Sequence, residues 1–321
     1  MSPSRLRSLS TTCSIALSDS AHARPVTPEH LEHRINLPDG RTLAVAEWGD
    51  PDGLPLSSHH GTPGSRIQYW TDPTIYARFG LRRITFDRPG YGESTRLPRQ
   101  SIADVVPDVV GIADALGIHR FAVTGGSGGG PHALACAALL PERVTRCLAT
   151  ASPAPWEAEG FDHFEGMNAG NVEEFEAAMI GEAAHRPIAE REAATALERL
   201  RSGRADWLGD SYEMSEADRT AMARNLAIAR DQMEHGLAPG VDGWVDDMLA
   251  SVRPWGVDLG AIRCPVRIDY GRTDAFVPAA NGDWLMANVP GATAFITDAG
   301  HLANDEIAEA TYAWLASSGS P

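Results

Sequence analysis

The sequence predicts an α/β fold in which a mostly parallel sheet is flanked by helices. Short apolar segments of strand length alternate with longer segments of helix length over residues 29–155 and again over 259–321. The connections between these segments are short and rich in glycine. Alternation of this kind implies βαβ crossovers, which place helices on both faces of a parallel sheet. Between the two regions, residues 156–258 hold helical patterns and no convincing strand.

The first region is predicted to supply six strands. The first two form a hairpin around Pro38-Asp39-Gly40, and the third runs into a glycine-rich loop at 60–64. Helices are predicted over about 65–79, over about 101–116 and from Pro131 onward, because the missing N–H of proline costs nothing in a first helical turn. The predicted strands are Leu31–Leu37, Arg41–Glu47, Leu54–His59, Leu81–Phe86, Phe121–Thr124 and Cys147–Ala151.

The middle region, 156–258, is predicted to be a helical lid inserted into the α/β core. One helix is expected from Ser215 to Glu234, since Ser215 and Asp218 resemble a capping box and Gly236 ends the pattern. The region carries 22 acidic and 9 basic residues and holds six of the eight Met and four of the eight Trp. Such side chains favour an apolar pocket beneath the lid, although packing of the lid helices against the core explains them as well.

Strand–helix alternation then resumes. Strands are predicted at Val266–Tyr270 and Thr293–Thr297. One helix is predicted near 278–288, between these two strands, and a last helix follows the second strand and ends at about 316. The lid therefore interrupts one α/β domain formed by residues 29–155 and 259–321.

Composition excludes several classes of function. The 321 residues carry a net charge of −16, and an acidic surface repels phosphate backbones, so we expect no nucleic-acid partner. All 27 basic residues are arginines, which excludes a pyridoxal-phosphate Schiff base and the lysine of P-loop enzymes and kinases. No segment approaches the roughly 18 consecutive apolar residues of a membrane span.

The cysteines and the first residues bear on location. No CxxC pair occurs, and the spacing fits neither a zinc site nor a disulfide framework, so we expect no metal, reduced thiols and a cytoplasmic protein. Residues 1–28 show no periodicity and are predicted to be a disordered tail. The apolar patch Cys13–Leu17 is shorter than the roughly 7–15 residues of a signal-peptide core, which disfavours secretion. Besides Cys13, the chain contains three cysteines, Cys136, Cys147 and Cys264.

One motif predicts a nucleophile. Residues 125–129 read Gly-Gly-Ser-Gly-Gly, which fits G-x-S-x-G between a predicted strand and a predicted helix. A sharp turn there forces Ser127 into a strained backbone conformation and exposes its side chain. Small residues are needed on either side because the strand and helix approach closely, and Gly125, Gly126 and Gly129 meet that need. A phosphate-binding loop or a plain turn is the alternative interpretation.

A serine hydroxyl needs a base, and the base needs an orienting carboxylate. Asp274 follows the predicted strand at 266–270, and His301 follows the strand at 293–297. Taken singly, each is as well explained as a solvated loop residue. In the order Ser127, Asp274, His301, each at a strand end, they predict a catalytic triad.

An oxyanion hole needs two backbone N–H groups. Gly128, directly after the nucleophile, is one candidate donor. The loop at 60–64 supplies the other, and Thr62 is preferred there because Pro63 has no N–H. His60 and His132 are interpreted as hydrogen-bonded scaffold residues rather than bases.

Together these motifs resemble the α/β-hydrolase superfamily. The resemblance rests on five segments in the right order: His-Gly-Thr-Pro-Gly at 60–64, Asp-Arg-Pro-Gly-Tyr-Gly-Glu-Ser at 87–94, the turn at Ser127, Gly-Arg-Thr-Asp at 271–274 and Gly-His at 300–301. It implies an eight-stranded, mostly parallel sheet, a cap over the site, a small-molecule substrate, and acyl transfer through a serine ester without a cofactor. It also implies that the Asp87-Arg88 turn is structural.

Three functions follow as hypotheses. The first is hydrolysis of a carboxylic ester or a related acyl compound with an apolar acyl part, of the EC 3.1.1 type. The second is an aminopeptidase, since the motifs are similar to those of the proline iminopeptidase branch, although that branch has Gly where Thr62 stands and Trp where Gly128 stands. Such an enzyme would grip a substrate ammonium through lid carboxylates. The third is a non-hydrolytic ligand receptor. For the aminopeptidase hypothesis, the lid carboxylates that could bind the substrate ammonium are Glu173, Glu174, Asp246 and Asp247.

Overall fold

A computed structural model describes residues 29–69, 72, 74–302 and 305–317 of the chain. The predicted tail at 1–28, with Cys13, lies outside the described residues. Among the helices of the described ranges, none combines the length and the apolar character needed to cross a membrane.

Eight strands form one sheet. Their bounds are β1 Leu31–Asn36, β2 Thr42–Gly49, β3 Leu54–His59, β4 Leu81–Phe86, β5 Phe121–Gly126, β6 Val144–Thr150, β7 Val266–Gly271 and β8 Thr293–Thr297. The strand order is β1-β2-β4-β3-β5-β6-β7-β8. Strand β2 runs antiparallel to both of its neighbours, and every other pairing is parallel. The predicted fold class, an eight-stranded and mostly parallel sheet flanked by helices, is confirmed.

The central strands are buried on both faces, which explains their continuous apolar sequence. Val123, Leu148 and Ile268, at the middle of three neighbouring strands, are completely buried. Helices packed on each face supply the partners that keep these side chains out of water, since burial of apolar surface is the main favourable term in folding.

Ten helices accompany the sheet in the described ranges. They are α1 Ile75–Arg78, α2 Val105–Ala115, α3 Gly130–Leu139, α4 Ala169–Ile180, α5 Glu182–Arg201, α6 Glu216–Arg224, α7 Leu226–Gly236, α8 Asp242–Ser251, α9 Ala279–Asn288 and α10 Asp305–Ala316. Helices α4–α8 follow one another between β6 and β7. Residues 156–258, which contain these five helices and no strand, are called the helical insertion below.

Two helix predictions were wrong in extent. The helix predicted over 65–79 is reduced to α1, four residues long, because residues 65–69 are held irregular by contacts of Arg66 with Asp87. The single helix predicted from Ser215 to Glu234 is two helices that meet at Asn225. Its start was predicted correctly, since the Ser215 hydroxyl accepts a hydrogen bond from the backbone N–H of Asp218.

The three cysteines in the described part of the chain are free thiols. Cys136 and Cys147 are buried in the core, and Cys264 is half-buried. Burial raises the pKa of the Cys264 thiol to about 11, which keeps it protonated and unreactive at neutral pH.

Two buried ion pairs hold the turn that follows β4. Asp87 accepts hydrogen bonds from the backbone N–H and from the guanidinium of Arg66, both at 2.6 Å. The next residue, Arg88, pairs with Asp247 of helix α8 at 2.5 Å. Asp87, Arg66, Arg88 and Asp247 are all buried. This turn therefore fastens the loop at 65–69 and the helical insertion to the sheet.

We expect Asp87→Asn to lower the free energy of unfolding by about 3 kcal/mol, because it removes the buried counter-charge of Arg66 and leaves only pairs with the partly exposed Glu32 and Glu93. Urea denaturation measures the change. Asp114→Asn is the matched control, since Asp114 is mostly exposed and its pair with Arg143 lies at the surface, where about 1 kcal/mol or less is expected. Equal effects of the two substitutions would contradict this account.

Candidate active site

The loop between β5 and α3 places Ser127 on a sharp turn. Strand β5 ends at Gly126, and Ser127 has a φ of +52°, in the left-handed region that side chains other than glycine rarely adopt. Such strain persists only where the surrounding structure imposes it, and it is frequent at functional sites.

The surrounding glycines allow the strand and helix to approach closely. A Cβ built on Gly125 would lie 2.0 Å from the carbonyl oxygen of Gly129, and one built on Gly129 would lie 2.5 Å from the carbonyl oxygen of His59. Both contacts are with backbone atoms, which cannot move aside. Any larger residue at either position would therefore disturb the turn that holds Ser127.

Asp274 and His301 are in direct contact. The Nδ1 atom of His301 lies 2.8 Å from Oδ2 of Asp274. The other carboxylate oxygen of Asp274 accepts hydrogen bonds from the backbone N–H groups of Phe276 at 2.8 Å and Val277 at 2.9 Å. Asp274 is buried and its orientation is fixed by these contacts, so it fixes the ring of His301 in turn.

The sheet brings these residues to one edge. The register pairs Gly126 with Thr150, Thr150 with Asp269, and Gly271 with Thr297, so that β5, β6, β7 and β8 end together. Gly126 of the serine turn and Leu302, next to His301, line the same cavity of about 350 Å³. Within the described residues, the Ser127 hydroxyl makes no hydrogen bond, so proton transfer from Ser127 to His301 stays a prediction.

The environment of His301 favours its protonated form. Burial alone would lower the pKa of His301, but the charge and hydrogen bond of Asp274, with a further contribution from the charge of Asp218, hold the pKa above the ordinary value of 6.5. Because a base must be neutral to accept a proton, we expect any reaction that uses His301 as a base to slow on acidification from a pH above 6.5.

Asp218 is a residue that the sequence did not reveal as part of the site. Its carboxylate belongs to helix α6, is buried, and accepts a hydrogen bond from the backbone N–H of Leu302 at 2.8 Å. A Cβ built on Gly300 would lie 1.8 Å from Oδ2 of Asp218, so the carboxylate fills the space that this glycine leaves. Asp218 thus holds the loop that carries His301. The capping box at Ser215 was the only sequence signal near it.

Thr62 and Gly128 lie side by side. A Cβ built on Gly128 would lie 3.2 Å from the backbone nitrogen of Thr62, and one built on Gly61 would lie 3.6 Å from Cβ of Ser127. The loop at 60–64 therefore faces the serine turn. The role of the Thr62 and Gly128 backbone N–H groups as an oxyanion hole stays a prediction.

The helical insertion also supports Thr62. The Thr62 hydroxyl donates a hydrogen bond to Oδ2 of Asp247 at 2.9 Å and accepts one from Arg88 at 3.0 Å. Tyr91 donates to the same carboxylate oxygen at 2.9 Å. Asp247 therefore sits at the centre of a buried network that fixes the loop at 60–64.

The buried histidines near this network are neutral. Nδ1 of His60 lies 2.7 Å from the carbonyl oxygen of Gly61, and its Nε2 accepts a hydrogen bond from the backbone N–H of Arg88 at 3.1 Å. Burial and the charge of Arg88 hold the pKa of His60 well below 6.5, and burial does the same for His132. Both fit the predicted scaffold role.

The cavity beside the site lies between the sheet and the helical insertion. Its walls come from β3, β4, β5 and β6, from α10, and from the insertion. The insertion residues that line it are Trp207, Met222, Asn225, Ile228, Ala229 and Gln232. Its volume of about 350 Å³ falls in the range of about 300–1,000 Å³ that small-molecule sites occupy.

Comparison with known proteins agrees with the observed fold. The family model of the alpha/beta hydrolase fold matches residues 55–307. A proline iminopeptidase of Neisseria meningitidis serogroup B is 30% identical over 284 residues, covering 81% of this chain and 86% of that protein. A 2-hydroxy-6-oxononadienedioate/2-hydroxy-6-oxononatrienedioate hydrolase of Klebsiella pneumoniae subsp. pneumoniae is 26% identical over 299 residues, covering 89% and 94%.

Two other matches support more limited statements, because one covers only part of the relative and the other has low sequence identity. The chain spans 40% of the length of a proline iminopeptidase of Xylella fastidiosa, to which it is 37% identical over 131 residues, 38% of this chain. The crystal structure of the enol-lactonase from Burkholderia xenovorans superposes with a TM-score of 0.64 at 18% identity, covering 87% of this chain and 96% of that one. At this identity the superposition supports a shared fold alone.

We expect Asp218→Asn to lower the pKa of His301, because it removes one of the two negative charges that stabilise the imidazolium. NMR titration of histidine-labelled protein measures the pKa, with His301→Gln to assign the signal. Asp210→Asn is the matched control, since Asp210 lies almost fully exposed in the same insertion. A His301 pKa that is the same in Asp218→Asn and in the wild type would show that the contact does not act on His301.

Proposed function

The chain belongs to the alpha/beta hydrolase fold family, and from that premise we propose that it is a serine hydrolase acting on a carboxylic ester or a related acyl compound, of the EC 3.1.1 type. The observation that carries the proposal is the hydrogen bond between His301 and buried Asp274 at the sheet edge where the strained turn presents Ser127. A neutral imidazole held in this way is the base that a serine hydroxyl requires.

In the proposed mechanism, His301 takes the proton of Ser127 as the hydroxyl oxygen attacks the acyl carbon. The backbone N–H groups of Thr62 and Gly128 stabilise the oxyanion that forms. His301 then gives the proton to the leaving group, and the acyl chain remains on Ser127 as an ester. In the second half His301 activates water, which releases the acid and restores the serine. No cofactor or metal takes part in these steps.

We further propose that the helical insertion, 156–258, is a lid over the α/β core formed by 29–155 and 259–321. Trp207 and Met222 of the insertion line the cavity opposite Gly125 and Gly126 of the serine turn. This arrangement supports an apolar acyl substrate shielded from water, and the free buried thiols support a cytoplasmic location.

An aminopeptidase is the second candidate, because proline iminopeptidases are among the relatives. Buried lid carboxylates that could hold a substrate ammonium are already engaged. Glu174 accepts hydrogen bonds from Tyr212 at 2.7 Å and Trp244 at 3.0 Å, Asp246 pairs with Arg96 at 2.6 Å, and Asp247 pairs with Arg88. Their engagement favours the esterase over the aminopeptidase.

We expect Ser127→Ala to reduce turnover of an activated ester by about 10³-fold or more, because the nucleophile is lost while binding and fold remain. Initial rates with 4-nitrophenyl esters measure the loss. Ser202→Ala, at an exposed position of the helical insertion, is the matched control and keeps wild-type turnover. A fluorophosphonate probe labels the wild type once, at Ser127. Labelling at another residue, or full activity of Ser127→Ala, would contradict the mechanism.

Parallel assays separate the two candidates. We expect kcat/KM for aryl esters to exceed that for prolyl arylamides by at least about 100-fold, since no free buried carboxylate among those named is left to bind the substrate ammonium. A reversed ratio, abolished by Ser127→Ala, would establish the aminopeptidase instead.

A further inference from the structure

One buried arginine lacks the counter-charge that the others have. Five arginines are buried in the described part of the chain, and four of them pair with a buried aspartate. The pairs are Arg41–Asp108, Arg66–Asp87, Arg88–Asp247 and Arg267–Asp269. Arg83, on β4, is 5% exposed and forms no ion pair with any described residue. A guanidinium stays protonated inside a protein, so its charge there is not compensated.

Neutral groups surround the Arg83 guanidinium. It donates hydrogen bonds to Oγ of Ser58 at 2.9 Å, to the hydroxyl of Tyr76 at 3.0 Å, to Oε1 of Gln68 at 2.9 Å and to the carbonyl oxygen of Gln68. It also lies 5.0 Å from the centre of the Tyr76 ring. These contacts orient the cation without neutralising it.

The cluster is also incomplete in its hydrogen bonds. Nε of Arg83 and Nε2 of Gln68 are buried and have no hydrogen-bond partner. An unpaired buried donor is unfavourable, and this cluster contains two of them, one on a cation. An anion is the ligand that would satisfy both the charge and the donors.

Arg83 lines the cavity next to the proposed nucleophile. The same cavity is lined by Gly125 and Gly126 of the serine turn and by Leu302 beside His301. None of its described lining residues is an aspartate or a glutamate. In a chain whose net charge is −16, the described lining residues of this cavity thus include one positively charged side chain and no negatively charged one.

The sheet register gives the distance between the Arg83 guanidinium and the serine turn. Ser58, which bonds to the Arg83 guanidinium, is level with Thr124 on β5, three residues before Ser127. At about 3.3 Å per strand residue, the guanidinium lies about 10 Å from the serine turn along the sheet. A chain of about seven bonds spans that distance, which is the length of an eight-carbon diacid.

We propose that Arg83, together with Gln68, binds a carboxylate carried by the substrate, so that the preferred substrates are esters with a free carboxylate about eight atoms from the acyl carbon or on the leaving group. The proposal rests on the proposed serine hydrolase function. It makes Arg83 a specificity-determining residue and leaves the chemistry at Ser127 unchanged.

The first test compares two substrates that differ only in charge. We expect wild-type kcat/KM for 4-nitrophenyl hydrogen suberate to exceed that for its neutral methyl ester by about 10- to 100-fold, the range of a charge-assisted hydrogen bond. A second pair, the octanoate ester of 6-hydroxyhexanoate and its methyl ester, places the carboxylate on the leaving group. The pair that shows the preference identifies the side of the substrate on which the carboxylate lies. No preference in either pair overturns the proposal.

Arg83→Gln is expected to reduce the preference to within about threefold of unity. The preference is a ratio of two rates on one protein, so a general loss of activity or of folded protein cancels from it. Arg82→Gln is the matched control. Arg82 is the preceding residue on β4 and its guanidinium pairs with Glu47, away from the cavity, so this variant keeps the wild-type preference. A preference retained in Arg83→Gln would overturn the proposal.

A binding measurement separates this proposal from the serine hydrolase mechanism. Calorimetric titration with suberate is expected to show saturable binding to the wild type and to Arg82→Gln, and binding at least about tenfold weaker to Arg83→Gln. That result supports the site even if no ester is cleaved. Esters cleaved without charge preference, and suberate bound equally by all three proteins, would reject Arg83 while leaving the mechanism intact. Equal affinity for sulfate and suberate would indicate an adventitious ion only and would also reject it.

Discussion

The parallel register of the central sheet is the constraint on which the rest of this structure depends. Strands β3, β5, β7 and β8 end at one edge because they run in the same direction and their last residues lie within a few positions of one another in the register. Ser127 lies more than a hundred residues before Asp274 and His301 in the chain, and each of the three merely follows the strand before it. The left-handed turn at Ser127 is tolerable only because Gly125 and Gly129 let a strand and a helix almost touch there. The strained turn at Ser127 and the parallel register of the strands therefore both position these three residues at one edge of the sheet.

Buried charge is the second organising feature, and in each of the four buried ion pairs named above the positive charge is carried by arginine. A planar guanidinium with five donors can pair with a carboxylate and still bond to nearby backbone oxygens, which suits it to the interior. Arg88 does this, since it contacts Asp247 and the carbonyl oxygens of His60 and Gly61. Removing either charge of such a pair leaves the other buried and unpaired, which costs more than the pair itself contributes. Arg83 has no carboxylate partner among the described residues. This difference is the reason for proposing an anion site in the cavity that it lines.

The sequence predicted the sheet well and the helices less well, for physical reasons that particular segments illustrate. Strands such as Leu54–His59 and Thr293–Thr297 were predicted at their observed bounds because short apolar runs between glycine turns leave few alternatives. The segment at 65–69 has a helical pattern, yet the ion pair of Arg66 with Asp87 holds it irregular, and no local pattern contains that contact. The positions of Asp274 and His301 at strand ends were predictable from chain order. The contacts of Asp218 and the isolation of Arg83 were not, because both depend on which distant groups surround a side chain.

The helical insertion does more than line the cavity, since its carboxylates hold both loops on which the proposed chemistry relies. Asp247 fixes the hydroxyl of Thr62, and Asp218 fixes the backbone beside His301. Both aspartates are buried, so each contact acts in a medium of low dielectric constant, where a charged hydrogen bond is strongest and its loss most costly. The acidic residues of the insertion therefore do not all lie on a solvated surface. Asp247 bonds to the loop at 60–64 and Asp218 to the loop that carries His301, so a displacement of the insertion would release both loops together.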